Sequence, residues 1–158
     1  KFDKSIDDRL PKNKWQKIKK KPHIVIFEGW CVSASAQKNK DLLAPVNVLE
    51  KDEDKKRIWR NRVNKELKNN YKKIFKLIDK NIFLKVPNFN YVYKWRLLQE
   101  KKLRAVYKGK KTMNSNQIKR FIMFYERLTK HMLKNFSKKA KIVIKIDEKH
   151  RLKTVSIN

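Results

Sequence analysis

The chain has 158 residues, which suits a single domain with an ordinary hydrophobic core. Apolar residues make up 40% of the chain, a fraction that argues against an intrinsically disordered protein. The 44 Lys and Arg residues outnumber 15 Asp and Glu residues, and the resulting net charge of +29 points to a polyanionic partner.

The basic residues are mostly lysine, since only 9 of the 44 are Arg. Sites that read bases or bind phosphate through two parallel hydrogen bonds favour Arg, because its guanidinium group is a planar fork. We therefore interpret the charge first as a solvated surface with a compositional bias. A selected nucleic-acid surface is the alternative, and attraction of small anionic substrates is a third interpretation.

The single cysteine, Cys31, excludes an internal disulfide framework and fits a reducing cytoplasm. We expect it to be a packing residue and not a nucleophile. No apolar run approaches the roughly 20 residues that a membrane-spanning helix needs, so we expect a cytoplasmic protein. The first residue is Lys1 and not Met, and we expect the domain 1–158 to be incomplete at its N-terminus.

The N-terminal third is predicted to contain one strand. Residues 1–22 are polar and read as a loop. A continuous apolar run over 23–28, of sequence HIVIFE, is typical of a strand that is covered on both faces, as in a parallel sheet. The connection over 30–47 is long and irregular, and loops of this length in compact domains are often functional.

The remainder alternates between helical and strand patterns. We predict, in chain order, helices over 51–71 and near 74–78, a strand over 81–86, a helix over 91–106, an amphipathic helix capped by Ser115 that reaches Phe136, and strands over 140–146 and 152–157. This order predicts an α/β layered domain with a mainly parallel sheet and a C-terminal edge hairpin. Four aromatic residues at helical spacing are predicted to be core and not base-stacking platforms: Trp59, Tyr71, Phe121 and Phe124.

The predicted strand ends in Glu28-Gly29-Trp30. Open α/β sheets bind ligands at the carboxyl ends of their strands. A carboxylate at that place can hold Mg²⁺, directly or through water. The alternative is that Glu28 only faces solvent. The residues alone do not decide between a metal ligand and an exposed acid.

A second candidate lies on the predicted helix 91–106. Arg96, Glu100 and Arg104 are spaced i, i+4, i+8 and fall within an arc of about 80°, so they share one face. An Arg pair held by a central Glu can clamp a transferring phosphoryl group. The alternative is an exposed ladder of ion pairs with little energetic weight.

Together these stretches resemble the D-glycerate 3-kinase-like branch of the P-loop kinases, which is related to uridine kinase, phosphoribulokinase and pantothenate kinase. The similarity covers nearly the whole chain and rests on Phe2-Asp3-Lys4-Ser5, Asp8-Arg9, IVIFEGW, Val63-Asn64 with Leu67 and Tyr71, Asp79, and YVYKWRLLQE. The resemblance implies a P-loop NTPase-like three-layer fold with a helical lid over 88–114.

The resemblance also implies an activity: ATP-dependent transfer of the γ-phosphoryl group to a hydroxyl of a small acceptor, glycerate first, with Mg²⁺. It implies a role for each of several residues of this chain: Asp3, Lys4, Arg9 and Trp30 bind the acceptor, Glu28 organises the metal, Lys94 and Arg96 bind ATP, and Arg96 with Arg104 acts in catalysis.

The chain departs from the family pattern in three places. Only Ile6 and Asp7 separate Ser5 from Asp8-Arg9, so the acceptor loop is short. No small Gly-containing loop comes after FEGW. The phosphate-binding motif G-x-x-x-x-G-K-[ST] is absent, so we expect it upstream and expect the isolated fragment to be inactive. An inactive truncated kinase is therefore a further alternative.

Overall fold

The computed structural model describes residues 2–3, 8–106 and 112–158. Its first elements are two short strands, Phe2–Asp3 (β1) and Asp8–Arg9 (β2), which pair antiparallel as a ribbon. A 3₁₀ turn comes next at Lys12–Lys14. The stretch after it has no regular structure until a second 3₁₀ turn at Asn39–Leu42.

Helices and a small sheet make up the rest. The elements in chain order are α1 (Val48–Asp52), α2 (Ile58–Lys68), α3 (Asn70–Phe75), β3 (Ile82–Lys85), α4 (Phe89–Val106), α5 (Ser115–Asn135), a 3₁₀ turn (Phe136–Lys138), β4 (Ile142–Ile146) and β5 (Leu152–Ile157). The predictions agree with β3, α4, α5, β4 and β5 to within a few residues. They give α2 and α3 other boundaries and place no separate helix at Val48–Asp52.

The sheet has the strand order β3-β4-β5 and is mixed. Strand β3 pairs parallel with β4, and the connection between them carries α4 and α5. Strand β5 pairs antiparallel with β4 at the edge. The predicted C-terminal edge hairpin is thus confirmed, whereas the described sheet holds one parallel and one antiparallel pair and is not mainly parallel.

Helix α5 packs against α1 and α4 and leads into the 3₁₀ turn before β4, and the residues of its buried face span Ile118 to Met132. Its N-terminus is capped by Asn114, which accepts from the Gln117 N–H while the Gln117 side chain accepts from the Asn114 N–H. The prediction that Ser115 is the cap was wrong by one residue. The main core cluster joins the end of α5 to the sheet and to the 31–36 loop: Ala34, Leu67, Met132, Phe136, Ala140 and Val143.

The predicted strand over 23–28 does not form. A strand needs a neighbour to take up its backbone hydrogen bonds, and no strand among the described residues pairs with this segment. The side chains of Ile24, Val25 and Ile26 are between 78% and 85% exposed. An apolar run that the sequence places in a buried sheet therefore lies uncovered.

The predicted helix over 51–71 is interrupted before Ile58. Both carboxylate oxygens of Asp54 accept backbone hydrogen bonds, from the N–H groups of Trp59 and Arg60. These bonds satisfy the first turn of α2 and make it a new helix start. Between the two helices the chain turns at Arg57, which has a left-handed backbone with φ of 62°. Among the described residues, no helix is long and apolar enough to span a bilayer.

A buried ion pair ties the segment before α2 to α5. The Arg127 Nε donates to Glu50 Oε1 at 2.7 Å and Nη2 donates to Oε2 at 2.6 Å. The same guanidinium group donates to the carbonyls of Asp41 and Ala44, each at 2.7 Å. One side chain therefore holds three points of the 41–50 segment against α5.

We expect Arg127→Met to lower the free energy of unfolding by about 3–5 kcal/mol, because Glu50 would stay buried without its partner. Adding Glu50→Gln should recover part of that loss. The matched control is Arg62→Met, which breaks an exposed pair with Glu66 and should cost about 0.5 kcal/mol or less. Urea denaturation measures all three variants, and equal losses for Arg127→Met and Arg62→Met would contradict the assignment.

Candidate functional site

Trp30 is the residue that fixes the loop after Glu28. Its indole Nε1–H donates to the Thr129 hydroxyl oxygen at 2.8 Å, and that hydroxyl donates to the Tyr125 carbonyl at 2.8 Å. The Trp30 ring stacks on the Tyr125 ring with centroids 4.6 Å apart and planes 13° from parallel. These contacts fix the position of the loop on α5, although Glu28 itself is exposed.

The loop is also held on its far side. The Ser33 hydroxyl donates to Asn81 Oδ1 at 2.6 Å, just before β3. The Asn64 side chain accepts from the Gln37 N–H at 2.7 Å and donates to the Gln37 carbonyl at 3.2 Å. A side chain at Gly29 would bring its Cβ to 3.0 Å from Val32 Cγ2, so this tight turn favours glycine.

A row of contacts along α5 connects Trp30 to helix α4. The Tyr125 ring lies 5.2 Å from the Phe121 ring, and the Arg96 guanidinium carbon lies 5.4 Å from the centroid of Phe121. We call Trp30, Tyr125, Phe121 and Arg96 the aromatic ladder. It brings one residue of the loop after Glu28 and one Arg of α4 onto the same helix.

The predicted face of α4 forms only in part: Glu100 pairs with Arg96, whereas Arg104 has no ion pair with Glu100 among the described residues. Glu100 is 3% exposed. Its carboxylate forms an ion pair with Arg96 Nη2 at 2.8 Å and accepts a hydrogen bond from the Met113 N–H at 3.2 Å. Arg104 Nη2 donates to the Met113 carbonyl at 2.7 Å. Arg96 Nη1 also donates to Gln99 Oε1 at 2.6 Å, while its Nε is buried and has no partner among the described residues.

The contacts to Met113 and Gln99 are structural and are not indicated by the spacing of the charges. Glu100 and Arg104 together bind both backbone groups of Met113 and so fasten the chain after 107–111 to α4. The predicted lid over 88–114 includes those undescribed residues, and it stays a prediction.

Among the described residues, Lys94 and Arg9 have no side-chain contact with the ladder. The Lys94 Nζ lies 5.0 Å from the centroid of the Tyr91 ring on the exposed side of α4. Asp3 and Arg9 belong to the β1–β2 ribbon, in which Asp3 pairs with Asp8. Lys4 lies outside the described residues. No hydrogen bond or ion pair between described side chains joins the ribbon to Trp30 or Arg96.

Three residues of this region were not singled out as functional from the sequence: Phe121, Tyr125 and Thr129. Phe121 and Tyr125 were interpreted as part of the apolar stripe of α5. Thr129 continues their i, i+4 spacing and is a polar residue within that stripe, and this was the available signal. Within the described ranges, no group of three or more His, Cys, Asp or Glu side chains forms a metal site. A metal ion here would depend on Glu28 with other ligands.

Two comparisons with known proteins bear on this arrangement. The chain is 32% identical over 131 residues to a Schizosaccharomyces pombe protein described as an uncharacterized kinase, mug58, and the match covers 78% of this chain and 45% of that protein. It superposes on D-glycerate 3-kinase from Cryptococcus neoformans with a TM-score of 0.70 and 20% identity, covering 89% of this chain and 52% of that one.

The resemblance to the D-glycerate 3-kinase-like branch of the kinases is confirmed. The structural match establishes a similar mixed α/β fold. No protein-family model matches the chain. The chain spans about half the length of both relatives, so the activity of a whole kinase is a separate question.

Two titratable groups near the ladder are structural. Burial raises the pKa of the Cys31 thiol to about 11, which keeps it protonated and agrees with its expected packing role. The Asn135 side-chain amide contacts His131 Nδ1 at 3.1 Å and donates to the His131 carbonyl at 3.0 Å. The same Asn135 amide nitrogen donates to the His131 carbonyl, so the atom that faces Nδ1 is a donor and Nδ1 accepts. In the neutral ring the hydrogen is then on Nε2, which donates to the Ser35 hydroxyl at 3.2 Å.

Burial, reinforced by Lys139, lowers the pKa of His131 below its usual value. Below about pH 6.5 this histidine is protonated in the unfolded chain but stays neutral in the folded chain. Stability from this residue is therefore present above that pH and is lost as pH falls toward the lowered pKa. We expect a slope of at most about 1.4 kcal/mol per pH unit.

Urea denaturation between about pH 8 and pH 5 measures the free energy of unfolding at each pH, and the decrease should begin near the ordinary histidine pKa. His131→Gln should flatten the curve, whereas His23→Gln, which alters an exposed histidine, should leave it unchanged. An unaltered curve for His131→Gln would refute the assignment.

Proposed function

We propose that this chain is part of an ATP-dependent kinase that transfers the γ-phosphoryl group of ATP to a hydroxyl of a small acceptor. The observation that carries the proposal is the aromatic ladder, which brings the loop after Glu28 and the Arg96 helix to one face of α5. The kinase names of both relatives support the same class of reaction.

Glu28 is the proposed metal-organising acid. It is an exposed carboxylate next to a loop whose position Trp30 and Ser33 fix. Carboxylate oxygens together with waters and phosphate oxygens are the ligands that Mg²⁺ prefers, so the residue fits the ion. When bound, Mg²⁺ would neutralise charge on the phosphates of the nucleotide.

Arg96 is the proposed residue that meets the phosphoryl group, with Lys94 and Arg104 as further positive charges on α4. The Arg96 guanidinium group is anchored by Glu100 through Nη2 and by Gln99 through Nη1, and its Nε–H is buried without a described partner. This anchoring preorganises the cation, so that it need not reorganise as negative charge develops. The hairpin after β4 steadies the same helix, since the Trp95 indole donates to the Glu148 carbonyl at 3.2 Å.

The acceptor is proposed to lie between Trp30 and the β1–β2 ribbon. Glycerate is the leading acceptor, because Arg9 can pair with its carboxylate and Asp3 and Lys4 can contact its hydroxyls. The segment between Ser5 and Asp8 is shorter than in the family pattern, so a hydroxy acid other than glycerate is compatible with the proposal.

The nucleotide-phosphate cradle is proposed to come from polypeptide equivalent to the half of the relatives that this chain does not span. The exposed apolar run Ile24 to Phe27 supports this, since four adjacent apolar side chains normally lie against another layer. We assign the activity to the complete polypeptide, acting in the cytoplasm, and expect the 158 residues alone to bind ATP weakly.

In the complete polypeptide, we expect Arg96→Ala to lower turnover with ATP and glycerate by about 10²- to 10³-fold, because it removes a charge that acts mainly in the transition state. Lys101→Ala, which changes an exposed residue of the same helix, is the matched control. ADP release measures both. Unchanged turnover in a folded Arg96→Ala protein would show that Arg96 has no role in catalysis. If the wild type transfers no phosphoryl group, the alternative of an inactive kinase fragment is favoured.

A nucleic-acid-binding module is the second candidate, and a specific observation favours it. Trp59, Tyr71 and Phe124 are 60%, 49% and 49% exposed, so the expectation that they form core was wrong. Exposed aromatics on a chain of net charge +29 are the components of a base-stacking surface.

This candidate predicts that single-stranded DNA binds and that its affinity falls steeply with salt concentration. Trp59→Ala should weaken binding by about 1–3 kcal/mol if a base stacks there, whereas Trp15→Ala serves as the control. Fluorescence anisotropy of a labelled oligonucleotide measures both, and the absence of binding at low salt would dismiss the candidate.

A further inference from the structure

A cavity of about 410 Å³ lies between the 3₁₀ turn Asn39–Leu42 and helix α2. It is lined by Asn39, Leu42, Leu43, Arg57, Asn61, Asn64, Lys65 and Lys68. None of these residues has a place in the proposed kinase chemistry, so a ligand in this cavity would be independent of that chemistry.

The lining is positively charged and contains no acid. Arg57, Lys65 and Lys68 contribute three cationic groups. No ion pair to any of them is present among the described residues, although six other arginines are paired there: Arg60, Arg62, Arg96, Arg120, Arg127 and Arg151.

Arg57 differs from those arginines in two ways. The residue is half-buried, and its guanidinium group has no hydrogen-bond partner in the described part of the chain. None of its nitrogens is among the buried atoms that lack a partner, so the group is open to a ligand. Its backbone is also left-handed, with φ of 62° and ψ of 22°, a conformation that costs energy for any residue with a Cβ.

The surroundings enforce that conformation. The Arg57 N–H donates to the Asp54 carbonyl at 2.8 Å, and the Arg57 carbonyl accepts from the Asn61 N–H at 3.1 Å. Asp54 meanwhile caps the first N–H groups of α2 and pairs with buried Arg60. The turn is thus fixed by buried polar bonds, and it sets Arg57 at the cavity wall.

The remaining lining defines the chemistry of an occupant. Asn39 and Asn61 offer amide donors, and Leu43 offers an exposed apolar wall. A guanidinium group with two ammonium groups suits a tetrahedral dianion, because the fork binds two oxygens and the ammonium groups act as point charges. A concave cavity suits one such group better than an extended polynucleotide backbone.

We propose that this cavity binds a small molecule that carries a phosphate group, with Arg57 as the principal ligand and Lys65 and Lys68 as supporting charges. The apolar wall at Leu43 accommodates a short organic part of the same molecule.

The test uses the 158-residue chain with inorganic phosphate and phenyl phosphate as probes. Binding is followed by amide NMR shifts at about 150 mM NaCl, where exposed charges are screened beyond about 8 Å. We expect saturable binding, tighter for phenyl phosphate, with the largest shifts at Arg57, Asn61 and Leu43.

Variants then separate a built site from general charge. Arg57→Gln should weaken binding at least about tenfold, the loss expected when a charge-assisted hydrogen bond is removed. The double variant Lys65→Gln/Lys68→Gln should weaken it as well. The matched control Lys72→Gln/Lys73→Gln removes two exposed charges from α3 and should leave affinity unchanged.

Three results would overturn the proposal. The first is an equal loss of affinity in both double-lysine variants, which would indicate binding by overall charge. The second is displacement of phosphate by a single-stranded oligonucleotide with no dependence on Arg57, which would assign the surface to nucleic acid. The third is retained affinity in Arg57→Gln. Urea denaturation of each variant shows whether it is folded, so that lost binding is not mistaken for a lost fold.

Discussion

The buried pair of Arg127 and Glu50 is the interaction on which the rest of the arrangement depends. Two charged groups leave water together, and this is favourable only when every polar atom finds a partner. The guanidinium group meets that condition by donating to both carboxylate oxygens and to the carbonyls of Asp41 and Ala44. The pair therefore specifies one position of the 41–50 segment against α5. The second buried pair, Arg60 with Asp54, extends the same fastening into α2.

Helix α5 is the common frame of both halves of the candidate site. Trp30 docks on it through Thr129 and Tyr125, and α4 docks on it where Arg96 lies over Phe121. Trp30 and Arg96 are thus each tied to this helix by their own side chains, whereas Glu28, two residues before Trp30, is exposed and makes no described hydrogen bond or ion pair. The proposed role of Arg96 draws on this anchoring, because a charge that is already placed needs no reorganisation during reaction. The chain is similar to kinases but spans only about half of each relative.

The basic residues that give the high net charge differ in what they contact. Among the described residues, six arginines form ion pairs with acids, and two of those pairs are buried. Exposed lysines carry much of the remaining excess. Arg57 stands out because its backbone is left-handed and its guanidinium group has no described partner. The composition of the chain therefore says little about function, whereas the pairing of individual cations is informative.

The sequence by itself determined the elements whose signals are local. The apolar stripe of α5, the β-branched runs of β4 and β5, and the i, i+4 spacing of Arg96, Glu100 and Arg104 needed no tertiary information. Tertiary structure alone decided that 23–28 is not a strand, because strand formation requires a partner strand and none is present among the described residues. It also decided that Asp54 begins a new helix, that Glu100 and Arg104 hold Met113, and that Trp30 stacks on Tyr125. These are contacts between residues distant along the chain or bonds to backbone groups, and periodicity carries no information about either.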